Sequence, residues 1–208
     1  MWNIISHYPI EQFLAFVAGG LVVNFSPGQD IFFATACGIQ GGPRVGAAAG
    51  IGAGTGVLWH VGLAALGLSA LIAAHPEMLM AIKYIGAGYL LYLAWKSWRS
   101  TGGMQAGRGV RTEWSAFRRG ILSNVLNPKP VLFILAFLPQ FVDPALGPVW
   151  MQIVLLGLVF SFTGTIVTAG FGYLAGHAGQ VIGARMGVVN KVAAVLFAGL
   201  AARLILVD

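Results

Sequence analysis

Six long apolar stretches dominate this sequence, and they constrain the fold more than any other feature. A membrane-spanning α-helix needs about 20 apolar residues, because the hydrocarbon core of a bilayer is about 30 Å thick. Only 9% of the residues are charged and 58% are hydrophobic, which is more apolar surface than a soluble domain can bury. We therefore predict an all-α integral membrane protein with spans over residues 12–36, 45–73, 78–98, 118–138, 149–174 and 187–207.

One connection, residues 98–119, is polar and rich in Gly and Arg, and it divides the chain into two halves of three predicted spans. Alternate loops on one side of the membrane collect most of the basic residues, and the other side holds mainly acidic ones. Cytoplasmic loops carry an excess of Lys and Arg, so we expect this loop in the cytoplasm and both termini outside. The net charge of +6 reflects this loop bias, and without interleaved aromatic and basic residues we expect no nucleic-acid partner.

The two halves resemble each other faintly, since GLVVNFSP (Gly20–Pro27) aligns with GILSNVLNP (Gly120–Pro128) after one inserted residue. Three spans is an odd number, so the second half must enter the membrane from the opposite side. Pro27 and Pro128 are expected to break the first helix of each half. We predict one transmembrane domain over 1–208, with inverted repeats over about 10–98 and about 118–208 joined by a cytoplasmic linker over about 99–117.

Polar and charged residues surround these two breaks at a depth where a span is normally apolar. Non-helical backbone persists there only when it is buried in protein or lines water. Free N–H groups at a half-helix start favour a carboxylate, and free carbonyls at a half-helix end favour an ammonium, so the pair suits an amino acid. The candidate substrate-binding residues are Asn24, Ser26, Pro27, Gly28, Gln29, Asp30, Asn124, Asn127, Pro128 and Lys129.

Each break also has a purely structural interpretation, in which Asn and Ser satisfy a kinked backbone and Asp30 forms an ion pair with Lys129. Two breaks at corresponding places, both with charged neighbours, favour a functional site. Asp30 is a candidate for proton coupling, and so is His60, although a lone His on an apolar face is more often a packed, hydrogen-bonded residue. No histidines have metal-ligand spacing, and Cys37 is the only cysteine, so we expect no metal, cofactor or internal disulfide.

Glycines recur every four residues along the second span. This pattern predicts a face of small residues for close helix packing, against either another span or a second subunit, which leaves a homodimer open. The residues concerned are Gly42, Gly46, Gly50 and Gly54, with Gly52 and Gly56 beside them.

Several segments carry a resemblance to a known family: SPGQD followed by an apolar run, GVLWHVGLAALGLSALI, KYIGAGYLLYLAWKSWR and NPKPVLFILAFLPQFV. Together they resemble the LysE/RhtB family of amino-acid exporters, in its homoserine/threonine-type branch, over about residues 10–207. The resemblance implies six spans, the inner membrane of a prokaryote, and proton-driven efflux of amino acids or similar metabolites. The family's first motif usually reads Pro-Gly-Pro-Asp, and Gln29 replaces its second proline here, so this break is expected to be less rigid.

We therefore expect a secondary transporter and no enzyme. Asp30 would bind the amino group or a proton, and Lys129 with the free N–H groups would bind the carboxylate. One acid and one base at depth make the site nearly neutral, which favours a zwitterionic amino acid over a basic one. The alternatives that use the same breaks are a membrane-embedded enzyme, for which Ser26 near Asp30 is the hint, and a lipid scramblase.

Overall fold

The computed structural model describes residues 8–75, 78–100 and 109–206, and within them all regular structure is helical, as predicted. The helices are α1 (Ile10–Phe25), α2 (Gln29–Gly41), α3 (Pro43–Ala74), α4 (Met78–Arg99), α5 (Glu113–Val125) and α6 (Pro128–Phe137), followed by short 3₁₀ helices at Leu138–Phe141 and Pro144–Leu146. The last helix, Val149–Leu206, is interrupted at Ala178, whose backbone is not helical, and we name its arms α7 (Val149–Ala178) and α8 (Gly187–Leu206). The middle of the predicted cytoplasmic loop, 101–108, and the chain ends, 1–7 and 207–208, lie outside the described residues.

Within the described residues, up to five segments are long and apolar enough to cross a membrane, if each bent pair of helices is counted as one span. Three of them are single helices, namely α3, α7 and α8. The others are α1 with α2, which meet at 53°, and α5 with the segment Pro128–Phe141, which meet at 50°. The remaining predicted span, 78–98, coincides with the 22-residue helix α4, but α4 is not among the segments that are long and apolar enough. Six spans in an inverted repeat therefore stay a prediction.

Both predicted helix breaks are present. At the first, Ser26 and Gly28 have extended backbone conformations on either side of Pro27, so α1 and α2 do not merge. At the second, Asn127 is the N-cap of α6, and its side chain accepts a hydrogen bond from the backbone N–H of Lys129 at 3.0 Å. Pro128 is tolerated in this first turn, where its missing N–H would have had no partner within the helix.

The glycine-rich face of α3 packs against two other helices of the same chain. A Cβ added at Gly46 would lie 2.1 Å from the carbonyl oxygen of Gly172 in α7, and one at Gly52 would lie 2.1 Å from the carbonyl oxygen of Phe117 in α5. The predicted close packing is confirmed for five of the six glycines, and the partners are other helices of this chain. It is wrong for Gly42, which precedes α3 with a φ of 92° and would have no described neighbour within 4 Å of an added Cβ. Gly46, Gly50 and Gly54 face α7, whereas Gly52 and Gly56 face α5.

The helix ends meet in two groups at opposite ends of the bundle. At one end, which we call the basic end, Asn190 near the start of α8 donates a hydrogen bond to Ser100 after α4 at 2.8 Å. At the other end, which we call the acidic end because it carries Glu11 and Asp143, the Tyr8 hydroxyl donates to the carbonyl of Phe141. The basic end carries Arg44, Lys96, Arg99, Arg111, Arg118, Arg119 and Lys191. The side chain of Arg185 and the whole of Arg108, Glu77 and Asp208, on which the topology prediction also drew, lie outside what is described.

Candidate functional site

Asp30, in the first turn of α2, is held by residues of the second half of the chain. Its Oδ1 accepts a hydrogen bond from the Ser123 hydroxyl at 3.2 Å. Its Oδ2 accepts from the side-chain amides of Asn124 at 2.8 Å and Asn127 at 2.9 Å. An ionised carboxylate is an acceptor only, so three donors suit that form.

Lys129, in the first turn of α6, reaches in the opposite direction. Its ammonium donates to the carbonyl of Ser26, at the end of α1. We expected a free carbonyl at this helix end to bind the ammonium of a substrate. In the structure the Ser26 carbonyl accepts from the ammonium of Lys129 instead. Among the described residues, no hydrogen bond joins Asp30 to Lys129. Asp30 instead contacts residues at the second helix break, and Lys129 contacts the first. The simple ion pair of the structural interpretation is replaced by two crossed contacts.

A small cavity of about 40 Å³ lies between the two breaks. A cavity needs about 10–15 Å³ by this measure to hold one water, so the space admits a few waters and is too small for an amino acid. Seven of the ten candidate residues line it: Asn24, Ser26, Gly28, Asp30, Asn124, Asn127 and Lys129. The other three candidates, Pro27, Gln29 and Pro128, are not among its lining residues. The two prolines lie at the helix breaks themselves.

Gln29 is exposed and joins the two halves from outside the cavity. Its side-chain amide donates to the carbonyl of Ser123 at 3.3 Å and to the Ser123 hydroxyl at 3.2 Å. Ser123 therefore contacts both Gln29 and Asp30, although the sequence analysis did not select it. No local signal marks this serine, because its position depends on how α5 lies against α2.

His60 is buried in α3, and its Nε2 lies 3.0 Å from the carbonyl oxygen of Asn124. A carbonyl can only accept, so Nε2 is the donor and carries the proton. His60 thus binds an open carbonyl beside the second break, as a packed, hydrogen-bonded histidine would. It is linked to Asp30 through Asn124, and its part in proton coupling stays a prediction.

Asn24 ties α1 to α7. Its side-chain amide donates to the carbonyl of Phe160 at 3.3 Å and to the hydroxyl of Thr163 at 3.0 Å. A Cβ added at Gly164 would lie 2.9 Å from Asn24 Oδ1, so a larger residue would displace the amide. Phe160 and Gly164 also line the cavity, and sequence reasoning missed both because neither is polar.

Asn124 has one further feature. Its Oδ1 is buried and has no hydrogen-bond partner in the part of the chain that the structure describes. A buried acceptor without a partner costs about 1–3 kcal/mol. The wall of the cavity thus contains an acceptor that an ammonium could satisfy. Among residues 8–75, 78–100 and 109–206, no group of three His, Cys, Asp or Glu side chains could hold a metal ion.

These features define a helical membrane protein with a polar site where two broken helices cross. The chain belongs to the LysE type translocator family, whose profile matches residues 21–207. No solved structure matches the chain.

Three relatives illustrate the similarity. An uncharacterized membrane protein of Vibrio cholerae is 31% identical over 175 residues, covering 83% of this chain and 85% of the relative. The homoserine/homoserine lactone efflux protein of Salmonella typhi is 30% identical over 167 residues, covering 79% and 81%. The leucine efflux protein of Klebsiella pneumoniae is 29% identical over 143 residues, covering 66% of each chain.

Proposed function

We propose that this protein is a secondary transporter that exports neutral, zwitterionic amino acids or related metabolites across the inner membrane, coupled to proton entry. The observation that carries the proposal is the crossed arrangement of Asp30 and Lys129 around one cavity. The names of the relatives, which include homoserine and leucine efflux proteins, support the substrate class.

The crossed contacts suggest how substrate binding is linked to movement. The Asp30 carboxylate and the Lys129 ammonium each hold the two halves together. A zwitterion offers an ammonium to Asp30 and a carboxylate to Lys129, and it would replace both contacts at once. Protonation of Asp30 would weaken its hold on Ser123, Asn124 and Asn127, because a protonated oxygen no longer accepts in the same way. Substrate and proton would thus compete for the same links between the halves.

The size of the cavity supports a cycle of alternating access. An amino acid does not fit into about 40 Å³, so the halves must separate for it to bind. Rocking of one repeat against the other about a site near the midplane is the usual motion of transporters with inverted repeats. We propose that the inverted repeats over about 10–98 and 118–208 move in this way.

The proposed orientation places the basic end in the cytoplasm and both termini outside. In a Cys37→Ala background, we expect a cysteine at Ala145 to react with an impermeant thiol reagent on whole cells. A cysteine at Gln105, in the predicted cytoplasmic loop, should react only after the cells are opened. Labelling of position 105 but not 145 on intact cells would reverse the orientation.

The function is tested with everted membrane vesicles, in which export appears as uptake of leucine or homoserine under an imposed pH gradient. Asp30→Asn and Lys129→Gln should each lower the rate at least about 30-fold, because removing one partner of a buried charged contact costs about 2–5 kcal/mol. Glu113→Gln and Arg118→Gln are the matched controls, since both side chains are exposed at the basic end. Normal transport by either site variant would reduce that residue to a structural role, and chemical change of the solute would favour the enzyme alternative.

The charge of the substrate is tested with the membrane potential. A zwitterion that leaves as one proton enters moves one positive charge inward, so an inside-negative potential assists it by about 2.3 kcal/mol per 100 mV. A monocation exchanged for one proton moves no net charge. We expect potential-dependent transport in proteoliposomes with the potential set by potassium and valinomycin. Potential-independent exchange of lysine or arginine, with no movement of homoserine or leucine, would contradict the proposed substrate class.

A further inference from the structure

One wall of the central cavity comes from a single face of α7. Phe160, Gly164 and Thr168 line the cavity at intervals of four residues, which place them on one side of the helix. The charged groups of the site, Asp30 and Lys129, lie on α2 and α6. A solute whose ammonium and carboxylate contact those two charges would turn its side chain toward this wall.

Thr168 differs from other hydroxyl-bearing residues of the same helix. The Thr163 hydroxyl donates to the carbonyl of Val159 at 2.9 Å. The Thr165 hydroxyl donates to the carbonyl of Ser161 at 2.8 Å. A bond to the carbonyl one turn earlier is a common way for a threonine in a helix to satisfy its hydroxyl. The Thr168 hydroxyl makes no hydrogen bond to any residue that the structure describes, although only 7% of Thr168 is exposed.

Asn24 presents an acceptor to the same cavity. Its amide nitrogen donates to the carbonyl of Phe160 at 3.3 Å and to the hydroxyl of Thr163 at 3.0 Å. A carbonyl only accepts, so the first contact fixes which end of the amide is the nitrogen. The oxygen, Oδ1, lies beside Gly164, where an added Cβ would be 2.9 Å from it. Gly164 thus leaves this oxygen uncovered at the cavity wall, and no described residue donates to it.

We propose that Asn24 Oδ1 and the Thr168 hydroxyl form a subsite for a hydroxyl group on the side chain of the exported amino acid. The inference rests on the proposed function, and it narrows the substrate class to hydroxylated neutral amino acids such as homoserine. A hydroxyl carries one donor and two acceptor lone pairs. It can donate to Asn24 Oδ1 and accept from Thr168, since both residues line one cavity. Gly164, one turn before Thr168 and beside Asn24, adds no side chain that would fill the subsite.

An aliphatic side chain of the same length is disfavoured in this subsite. It would cover the Asn24 oxygen and the Thr168 hydroxyl without offering either one a partner, and polar groups buried without partners weaken binding. Sites that bind a substrate hydroxyl discriminate against the analogue without it for this reason. The apolar lining residues Val23 and Val57 contact methylene groups equally well in either solute, so the discrimination rests on the hydroxyl.

A purely structural alternative is that water satisfies both polar atoms and that neither selects the solute. The cavity volume of about 40 Å³ is sufficient for a few waters. The two possibilities differ in one measurable way. A hydroxyl subsite changes the ratio of the affinities for a hydroxylated and an aliphatic solute, whereas a bound water affects both solutes alike.

The test compares homoserine with norvaline, which has a methyl group in place of the hydroxyl. Uptake of each is measured in the same everted vesicles under one imposed pH gradient, so the amount of folded protein cancels in the ratio. We expect the half-saturating concentration of the wild type to be about three- to tenfold lower for homoserine, the range for one net hydrogen bond. Thr168→Val, which keeps the shape and removes the hydroxyl, should abolish this preference, and Thr168→Ser should keep it. Thr55→Val is the matched control, since Thr55 is exposed on α3 and its hydroxyl donates to the carbonyl of Ile51.

The outcomes separate the possibilities. A wild-type preference that is lost in Thr168→Val and kept in Thr168→Ser and Thr55→Val supports the subsite. An unchanged preference in Thr168→Val, or equal weakening of both solutes, overturns it; if that variant is inactive, Thr168→Ala is read in the same way. A wild type that moves norvaline as well as homoserine overturns the inference while the proposed function stands. If the wild type moves no neutral amino acid, the proposed function fails and the subsite fails with it.

Discussion

The two ends of the bundle are closed in different ways. At the basic end the closure is backbone against backbone: a Cβ added at Gly38 would lie 2.1 Å from the Gly172 carbonyl oxygen, and one at Gly176 would lie 2.4 Å from the nitrogen of Pro43. At the acidic end four rings pack in sequence between the central cavity and a larger one of about 710 Å³, with neighbouring ring centroids 4.8 Å apart. We call these residues, Phe160, Phe133, Phe137 and Phe141, the aromatic column. Side-chain rings can rotate singly, whereas glycine-packed helices must move as bodies. We therefore expect local opening toward the acidic end and a larger rearrangement toward the basic end.

The largest effect is expected when the backbone closure is broken. Gly46→Val would place side-chain atoms where the Gly172 carbonyl already lies, and overpacking of this kind costs about 1–3 kcal/mol or more. Gly62→Val in the same helix is the matched control, because nothing lies within 4 Å of a Cβ added there. We expect a lower midpoint of thermal unfolding in detergent for Gly46→Val only. Equal midpoints for the two variants would mean that the glycine closure adapts easily.

A substitution that shortens the aromatic column should let protons leak through the protein and leave the fold intact. Phe137→Leu shortens the middle of the column, and this large-to-small change should cost about 1–3 kcal/mol, between the values typical of Ile→Val and Phe→Ala. We expect proteoliposomes with this variant to leak protons several times faster than the wild type in the absence of amino acid. Phe197→Leu is the control, since Phe197 is fully buried in α8 outside the column. The same leak in both variants would show that the column is ordinary packing.

The first helix break, between the two closures, should tolerate proline at Gln29 and reject it at Gly28, the residue before. Gln29 is the first residue of α2, where proline fits, and Gly28 before it is already extended. Gln29→Pro, which restores the usual family motif, should keep transport within about threefold, because it exchanges two exposed hydrogen bonds for a stiffer backbone. Gly28→Pro should abolish transport, because the φ of −159° at Gly28 is outside the range of proline. Similar rates for both variants would contradict this geometry.

The smallest effect is expected at Tyr8. Its hydroxyl joins the segment before α1 to the carbonyl of Phe141 at the acidic end. Tyr8→Phe should cost about 0.5–1.5 kcal/mol, the usual net value of one hydrogen bond. Burial, and secondarily the Asp143 carboxylate, raise the pKa of Tyr8 from 10.0 to about 12. The folded state therefore favours the neutral phenol, and this contribution is complete below pH 10 and lost as the pH rises toward 12. Unfolding midpoints measured across this range should converge for wild type and variant, and a constant difference would contradict the assignment.

The sequence predicts the parts of this structure that depend on local chemistry. Pro27 and Pro128 cannot continue a helix, and the glycine spacing in α3 requires a close neighbour, so both features follow from the residues themselves. The partners across the site do not follow, because they depend on how α2 rests on α5 and on how α7 packs against α1 and α6. Ser123 and Phe160 acquire their positions from that packing, and nothing in their local sequence distinguishes them from other residues of an apolar helix.

The crossed contacts of Asp30 and Lys129 also bear on how such a gene evolves. Asp30 contacts residues 93, 94 and 97 positions further along the chain, and Lys129 contacts one 103 positions before it. If the halves arose from the proposed inverted repeat, a half-length ancestor would have carried such a charge without its ligands, and only pairing with a second, oppositely inserted copy would have completed the site. Fusion of two such copies fixes their ratio, and each half can then diverge. In this chain the acid lies in one half and the base in the other, so a substitution at either break is expected to select for a compensating change about a hundred codons away.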